Sequence, residues 1–329
     1  MESSTKLLQF LGIPFTALLS VLFGLFLISF PMGMYVIFET DIGGDINYQY
    51  PFTHLDIFDG TELHQSSVDV TVGDAFVVLW IFYLVVFVIA ILGPKSGFLK
   101  TLSPIISFGK YDDRSNYMIG ITKWFSILVL ISALINFVQE GFGVEIIPPP
   151  ADNDLIQFFY VSLAPLMEEF VFRILLIGIP LVALYSNRSS VRYFIRCLWT
   201  PSLLDIHDVK KAIFLILFVG VLFGFSHIAF ADSWSGGKFA QAAASGVILG
   251  WVYLRYGFVA SLLIHWATNY FVFSYVGFLS QINDVSIHDA FSHSLISSLE
   301  TLFLASGVFS ICILLVRRFF SNKESTLKI

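Results

Sequence analysis

Charge is scarce in this chain of 329 residues, where Asp, Glu, Lys and Arg together make up 13% and apolar residues 57%. That balance, with a mean hydropathy of +0.82, lies outside the usage of water-soluble globular domains. Two cysteines, Cys197 and Cys312, form no CxxC pair and no disulfide framework, which excludes a cysteine-stapled secreted domain. No basic stripe exists on which phosphates could be neutralised, so nucleic acid is set aside as a partner. The sequence contains no HExxH, no Asp inside an apolar run and no full G-x-S-G, so zincin, aspartyl and rhomboid-like serine sites are missing their parts. The small residues Ala243-Ala244-Ser245-Gly246 are expected instead to form a close-packing helix face.

What the chain does have is long apolar runs and 36 Phe. Runs that approach the ~20 residues needed to cross a bilayer as a helix fall at 10–38, 75–93, 118–138, 155–184, 212–231, 239–256, 258–279 and 295–316. The expected fold is therefore all-α: a single transmembrane domain over 1–329, a helix bundle of about eight spans, with the lipid bilayer as its partner. The first run lacks an A-x-A cleavage site and reads as a retained helix. Only Arg255-Tyr256-Gly257 separates the sixth and seventh runs, which predicts a tight helical hairpin.

Basic residues mark the cytoplasmic side of short membrane loops. Segment 39–74 carries eight acids and no Lys or Arg, while fifteen of the 18 basic residues fall on the other side, at Lys6, 95–114, 188–211, Arg255 and 317–328. Both termini are expected in the cytoplasm, with 39–74 a non-cytoplasmic loop or cap. Lys238 falls in an outer loop, Lys123 can snorkel from its helix end, and Arg173 alone is deep.

Ionisable groups within a bilayer are costly and mark function or pairing. Glu168, Glu169 and Arg173 lie near the middle of the fourth run. Glu169 and Arg173 are i, i+4 neighbours placed to pair, and Glu168, rotated about 100° around the helix, is left free. His227 follows Phe223 by one turn, and Asn269 follows His265 by one turn. Such a set can activate water at Glu168, orient it with His227 and stabilise an oxyanion with donors from His265 and Asn269. Residue counting leaves the depths apart: Glu168 mid-bilayer, His227 nearer the outer end of its span, His265 nearer the inner end.

Glu168-Glu169-Phe170-Val171-Phe172-Arg173, Phe223-Gly224-Phe225-Ser226-His227 and His265-Trp266-Ala267-Thr268-Asn269 resemble the EExxxR, FxxxH and HxxxN motifs of the type II CAAX prenyl endopeptidases, within the CPBP group of intramembrane proteases. The resemblance implies an intramembrane active-site cavity in a core spanning about 118–280. It implies Glu168, His227, His265 and Asn269 as catalytic residues, and Glu169, Arg173 and Phe223 as supports. It further implies hydrolysis of a membrane-associated substrate, in the best-known case removal of the last three residues of a prenylated tail. The family has been described both as metal-dependent and as metal-free. Asn in the fourth place is a poor zinc ligand and a good donor, so no cofactor is expected, with zinc the alternative. A leader-peptide or bacteriocin-processing or immunity-type protease, and a non-catalytic scaffold or proton-coupled transporter, are the competing readings.

Overall fold

The computed structural model describes residues 2–44, 46–55, 69–112, 115–149, 153–188, 190–229 and 234–326. In chain order the helices are α1 (Glu2–Phe38), α2 (Val72–Leu92), α3 (Phe98–Phe108), α4 (Tyr117–Gly141), α5 (Asp154–Glu169), α6 (Ile179–Tyr185), α7 (Val191–Trp199), α8 (Val209–Ser226), α9 (Lys238–Tyr256), α10 (Phe258–Trp266), α11 (Val272–Asn283), α12 (Ile287–Phe291) and α13 (Ser294–Thr326). Two π-helical stretches, Phe170–Gly178 and Ala267–Phe271, join α5 to α6 and α10 to α11 without a break. No strand occurs among the described residues, and the protein is an all-α polytopic membrane bundle. Large apolar side chains such as Val78, Phe137 and Phe214 lie on its outside, a surface stable only against lipid.

Among the described residues six helices are long and apolar enough to span a membrane: Lys6–Phe38, Val72–Leu92, Tyr117–Gly141, Val209–Ser226, Phe258–Asn283 and Ser294–Phe319. The count of eight is thus not reached by length and hydropathy. The two other expected spans are helical, over Asp154–Tyr185 and Lys238–Tyr256. The first carries the interior acids and a π-helical middle, and the second is rich in Ala, Ser and Gly with Gln241. Both trade apolarity for close packing or polar function. The expected hairpin at Arg255-Tyr256-Gly257 is present: α9 ends at Tyr256, α10 begins at Phe258, and Gly257 turns the chain at φ 91°, a conformation that favours glycine.

Small residues bring α8 and α9 together. A Cβ on Gly224 would stand 2.8 Å from the Ala243 Cβ, and one on Gly246 would stand 2.9 Å from the Phe223 Cβ. The stretch Ala243–Gly246 is therefore the close-packing face its composition predicts. On the other side of the bundle, Trp266 stacks on Phe30 (5.0 Å) and Tyr270 (5.2 Å) and lies 6.0 Å from Tyr83. This aromatic block between α1, α2 and α10 sets the rotation of α10 and aims its opposite face inward.

Two basic loops hold short helices that hydropathy alone did not single out. In α7, Arg192 and Arg196 share one face while Cys197 is buried, the form of a helix lying along an interface. Of the expected cap at 39–74, residues 45 and 56–68 lie outside the described residues. Its described ends pair through Phe52 N–H to the Val70 carbonyl (2.9 Å) and Val72 N–H to the Tyr50 carbonyl (2.9 Å), and the capping box of Thr71 and Asp74 then starts α2.

Candidate active site

Glu169 closes α5, and the helix widens into π geometry directly after it. Such widened turns concentrate at functional sites because they reposition side chains within a continuous helix. Glu169 and Arg173 have no exposed side-chain surface, and Arg173 Nε lies 3.1 Å from Glu169 Oε2. The contact is an ion pair without hydrogen-bond alignment, since neither atom meets hydrogen-bond geometry. The guanidinium carbon also sits 4.8 Å from the centre of the Phe223 ring, a cation–π contact.

The other Glu169 oxygen is used by a different helix. His265 Nδ1 and Glu169 Oε1 are 2.9 Å apart, while Ser261, one turn before His265, donates to the Phe258 carbonyl (3.3 Å). Because an ionised carboxylate only accepts, Nδ1 carries the proton and Nε2 faces the other way. There it meets Glu168: His265 Nε2 is 3.8 Å, and His227 Nε2 4.0 Å, from the same Glu168 Oε2. His227 follows the last residue of α8 as its C-cap, and its Nδ1 donates to the Phe223 carbonyl at 2.8 Å. Its tautomer is fixed in the same sense.

The expected separation in depth is thereby corrected. Counting from span ends assumes that all spans begin in one plane, whereas α8 stops at Ser226 and the helix carrying His265 continues to Asn283. His227 lies just past its helix rather than inside it. Phe223 touches Arg173, His227 (4.7 Å) and His265 (5.8 Å, edge to face), so it is the spacer that sets the distance between the two imidazoles.

Asn269 lies in the second π-helical stretch. Thr268, a residue the motif spacing did not single out, donates from Oγ1 to the His265 carbonyl (2.7 Å) and to Asn269 Oδ1 (3.2 Å). With its oxygen so held, Asn269 lines a cavity of about 340 Å³ together with His227 and His265. The cavity runs between α4, α8, α9, α11 and α13, its middle walled by Phe125, Leu249 and Phe271. It extends to the bundle end where α8 stops and where α9 and α13 begin, with Lys238 and Glu300 on its lining there.

All seven residues singled out from the sequence are thus brought to one place by three helical rods. Glu168 keeps 29% of its side chain exposed and Glu169 none. No curated protein and no solved structure matches the chain. A family model does match, over residues 153–271, and its description is Type II CAAX prenyl endopeptidase Rce1-like. That stretch holds every residue of the cluster, so over these residues the chain is similar to the Rce1-like type II CAAX prenyl endopeptidases.

Proposed function

We propose that the protein hydrolyses a peptide bond of a membrane-associated substrate by water activated at Glu168. The observation that supports this most is the meeting of two imidazole Nε2 atoms, at 3.8 and 4.0 Å, on one oxygen of Glu168. These separations exceed direct hydrogen bonds and suit groups joined through one small oxygen between them. Glu168 takes a proton from water while His227 Nε2 accepts from the same water and orients it. The water oxygen bonds to the carbonyl carbon, and the oxyanion is met by the Asn269 amide, with His265 beside it and its ring set by Glu169 at Nδ1. The C–N bond then breaks as Glu168 returns its proton to the leaving amine.

His227, His265 and Glu168 are of the ligand types that hold zinc, which would supply a more acidic bound water. Their N···O separations of 3.8 and 4.0 Å are wider than the edge of about 3.4 Å that ~2.1 Å bonds give a tetrahedral site. Among the described residues no trio of His, Cys, Asp and Glu is grouped to hold a metal. Both observations support a reading without metal. Metal analysis of the purified protein, with turnover after chelation, tests it.

The apolar walls of the cavity suit a lipidated tail, and the substrate class we propose is a prenylated protein or peptide that loses its C-terminal tripeptide. Purified protein should cleave a farnesylated CAAX peptide, and Glu168→Ala should abolish cleavage; undiminished turnover in that variant removes the mechanism. One observation favours a second reading of the substrate. The cavity reaches the bundle end opposite the loops that hold Lys95, Lys100, Arg192 and Lys210. With those loops and both termini in the cytoplasm, the mouth faces away from it, as a leader-peptide or other exported substrate requires. Labelling of cysteines placed at Ser186 and Ser292, one at each bundle end, decides the orientation. Cleavage of unprenylated tails decides the substrate.

A further inference from the structure

The cavity carries a cation that the hydrolytic set does not use. Lys238, the first residue of α9, lines it together with His227, His265 and Asn269. Its Nζ donates to Gln241 Oε1 at 2.7 Å and stands 4.1 Å from the centre of the Trp234 ring. Trp234 is itself tied to the site, because its backbone N–H donates to the His227 carbonyl at 3.1 Å. The ammonium therefore sits one indole ring from His227, and it interacts electrostatically with both Glu168 and His227.

The platform under this lysine is fixed. Ser235 N–H donates to the Ile147 carbonyl (3.0 Å), Ile147 N–H donates to Ser235 Oγ (2.9 Å), and Gln139 Nε2 donates to the Gly237 carbonyl (2.8 Å). Among the described residues no carboxylate lies within ion-pairing distance of Lys238, and two of its three N–H donors remain after the bond to Gln241. A cation held on a ledge inside a largely apolar cavity, beside the candidate hydrolytic centre and unpaired with any carboxylate among the described residues, is placed for an anion on the substrate.

We propose that Lys238, with the Gln241 amide beside it, is the subsite for the C-terminal carboxylate of the substrate, so that the cut is positioned from the chain end. This rests on the peptidase reading above. A planar, singly charged group matches one ammonium and one amide donor. A phosphate dianion matches less well, because Glu300, also on the lining, adds negative charge at the mouth. An internal peptide segment brings no main-chain carboxylate. Three extended residues span about 10 Å, so a tail anchored here delivers one particular bond to Glu168, and chains that continue past that point are not accepted.

The test uses two matched farnesylated CAAX peptides, one ending in a free acid and one in a C-terminal amide, with kcat/KM measured on the full chain. The wild type should prefer the acid by roughly 10- to 100-fold, the range of a charged hydrogen bond. Lys238→Met should bring the acid-to-amide ratio close to one, and Lys238→Arg should retain most of it. Unfolding midpoints of both variants, together with recovery in the arginine variant, separate loss of the subsite from loss of the fold. Equal cleavage of the two peptides by the wild type, or an unchanged ratio in Lys238→Met, overturns the inference while leaving the peptidase reading intact. Absence of cleavage of both peptides by the wild type overturns the inference together with the prenyl-processing reading on which it rests.

Discussion

Glu169 is fully enclosed and held by Arg173 and His265, whereas Glu168, one residue earlier, keeps 29% of its side chain exposed and its Oε2 has no hydrogen-bond partner among the described residues. The two carboxylates share a helix turn and differ by about 100° of rotation. That rotation sends one into the junction of α5, α8 and α10 and the other toward the two imidazoles. Partners make an acid structural and their lack leaves it available for chemistry, so on the proposed mechanism the same side chain serves stability at 169 and proton transfer at 168. The division also extends to the histidine beside them: His265 touches Glu169 through Nδ1 and approaches Glu168 through Nε2, joining the closed half of the site to the open one.

Breaking the closed half should produce the largest effect. Glu169→Gln leaves Arg173 enclosed without its counter-ion and should cost about 3–5 kcal/mol, read as a lower unfolding midpoint in detergent. The double variant Glu169→Leu with Arg173→Met should recover that stability, since apolar pairs replace buried ion pairs at little cost. It should still turn over poorly, because His265 loses the acceptor that sets its ring. Full activity in the double variant would mean that Glu169 has no part in orienting His265.

Perturbing the open half should do the reverse. Asn269→Ala removes an oxyanion donor and should lower kcat by about 10²–10³-fold with the unfolding midpoint held. A smaller loss is expected for Phe223→Leu, which removes the cation–π contact with Arg173 and the spacer between the imidazoles. About 1–2 kcal/mol of stability should go with it, and turnover should fall alongside. Thr268→Val frees the Asn269 carbonyl oxygen from its donor. One hydrogen bond of about 1 kcal/mol predicts a several-fold drop in kcat with KM unchanged, the smallest change of the series.

How much of this was legible in the sequence follows from which features have a period. The Glu169–Arg173 pair and the His265/Asn269 face are spacings of four on a helix, and they appear as expected. The meeting of Glu168 with His227 and His265 has no such signature, because it depends on where each helix starts and stops relative to its neighbours. The π-helical turns after Glu169 and Trp266 also leave no repeat to read. Lys238 falls in an outer loop by hydropathy, yet an aromatic and a lysine at i, i+4, Trp234 and Lys238, were a signal that the cation had a platform. In the same way Arg192 and Arg196, one turn apart, marked α7 within a loop defined only by its charge.

The central claim is that Glu168 is the proton-transfer group and owes nothing to stability. Its most direct test is the rate at which Glu168→Gln cleaves a farnesylated CAAX peptide, measured on protein whose unfolding midpoint matches the wild type. A fall of at least about 10²-fold is predicted, and turnover near the wild-type rate would contradict the account.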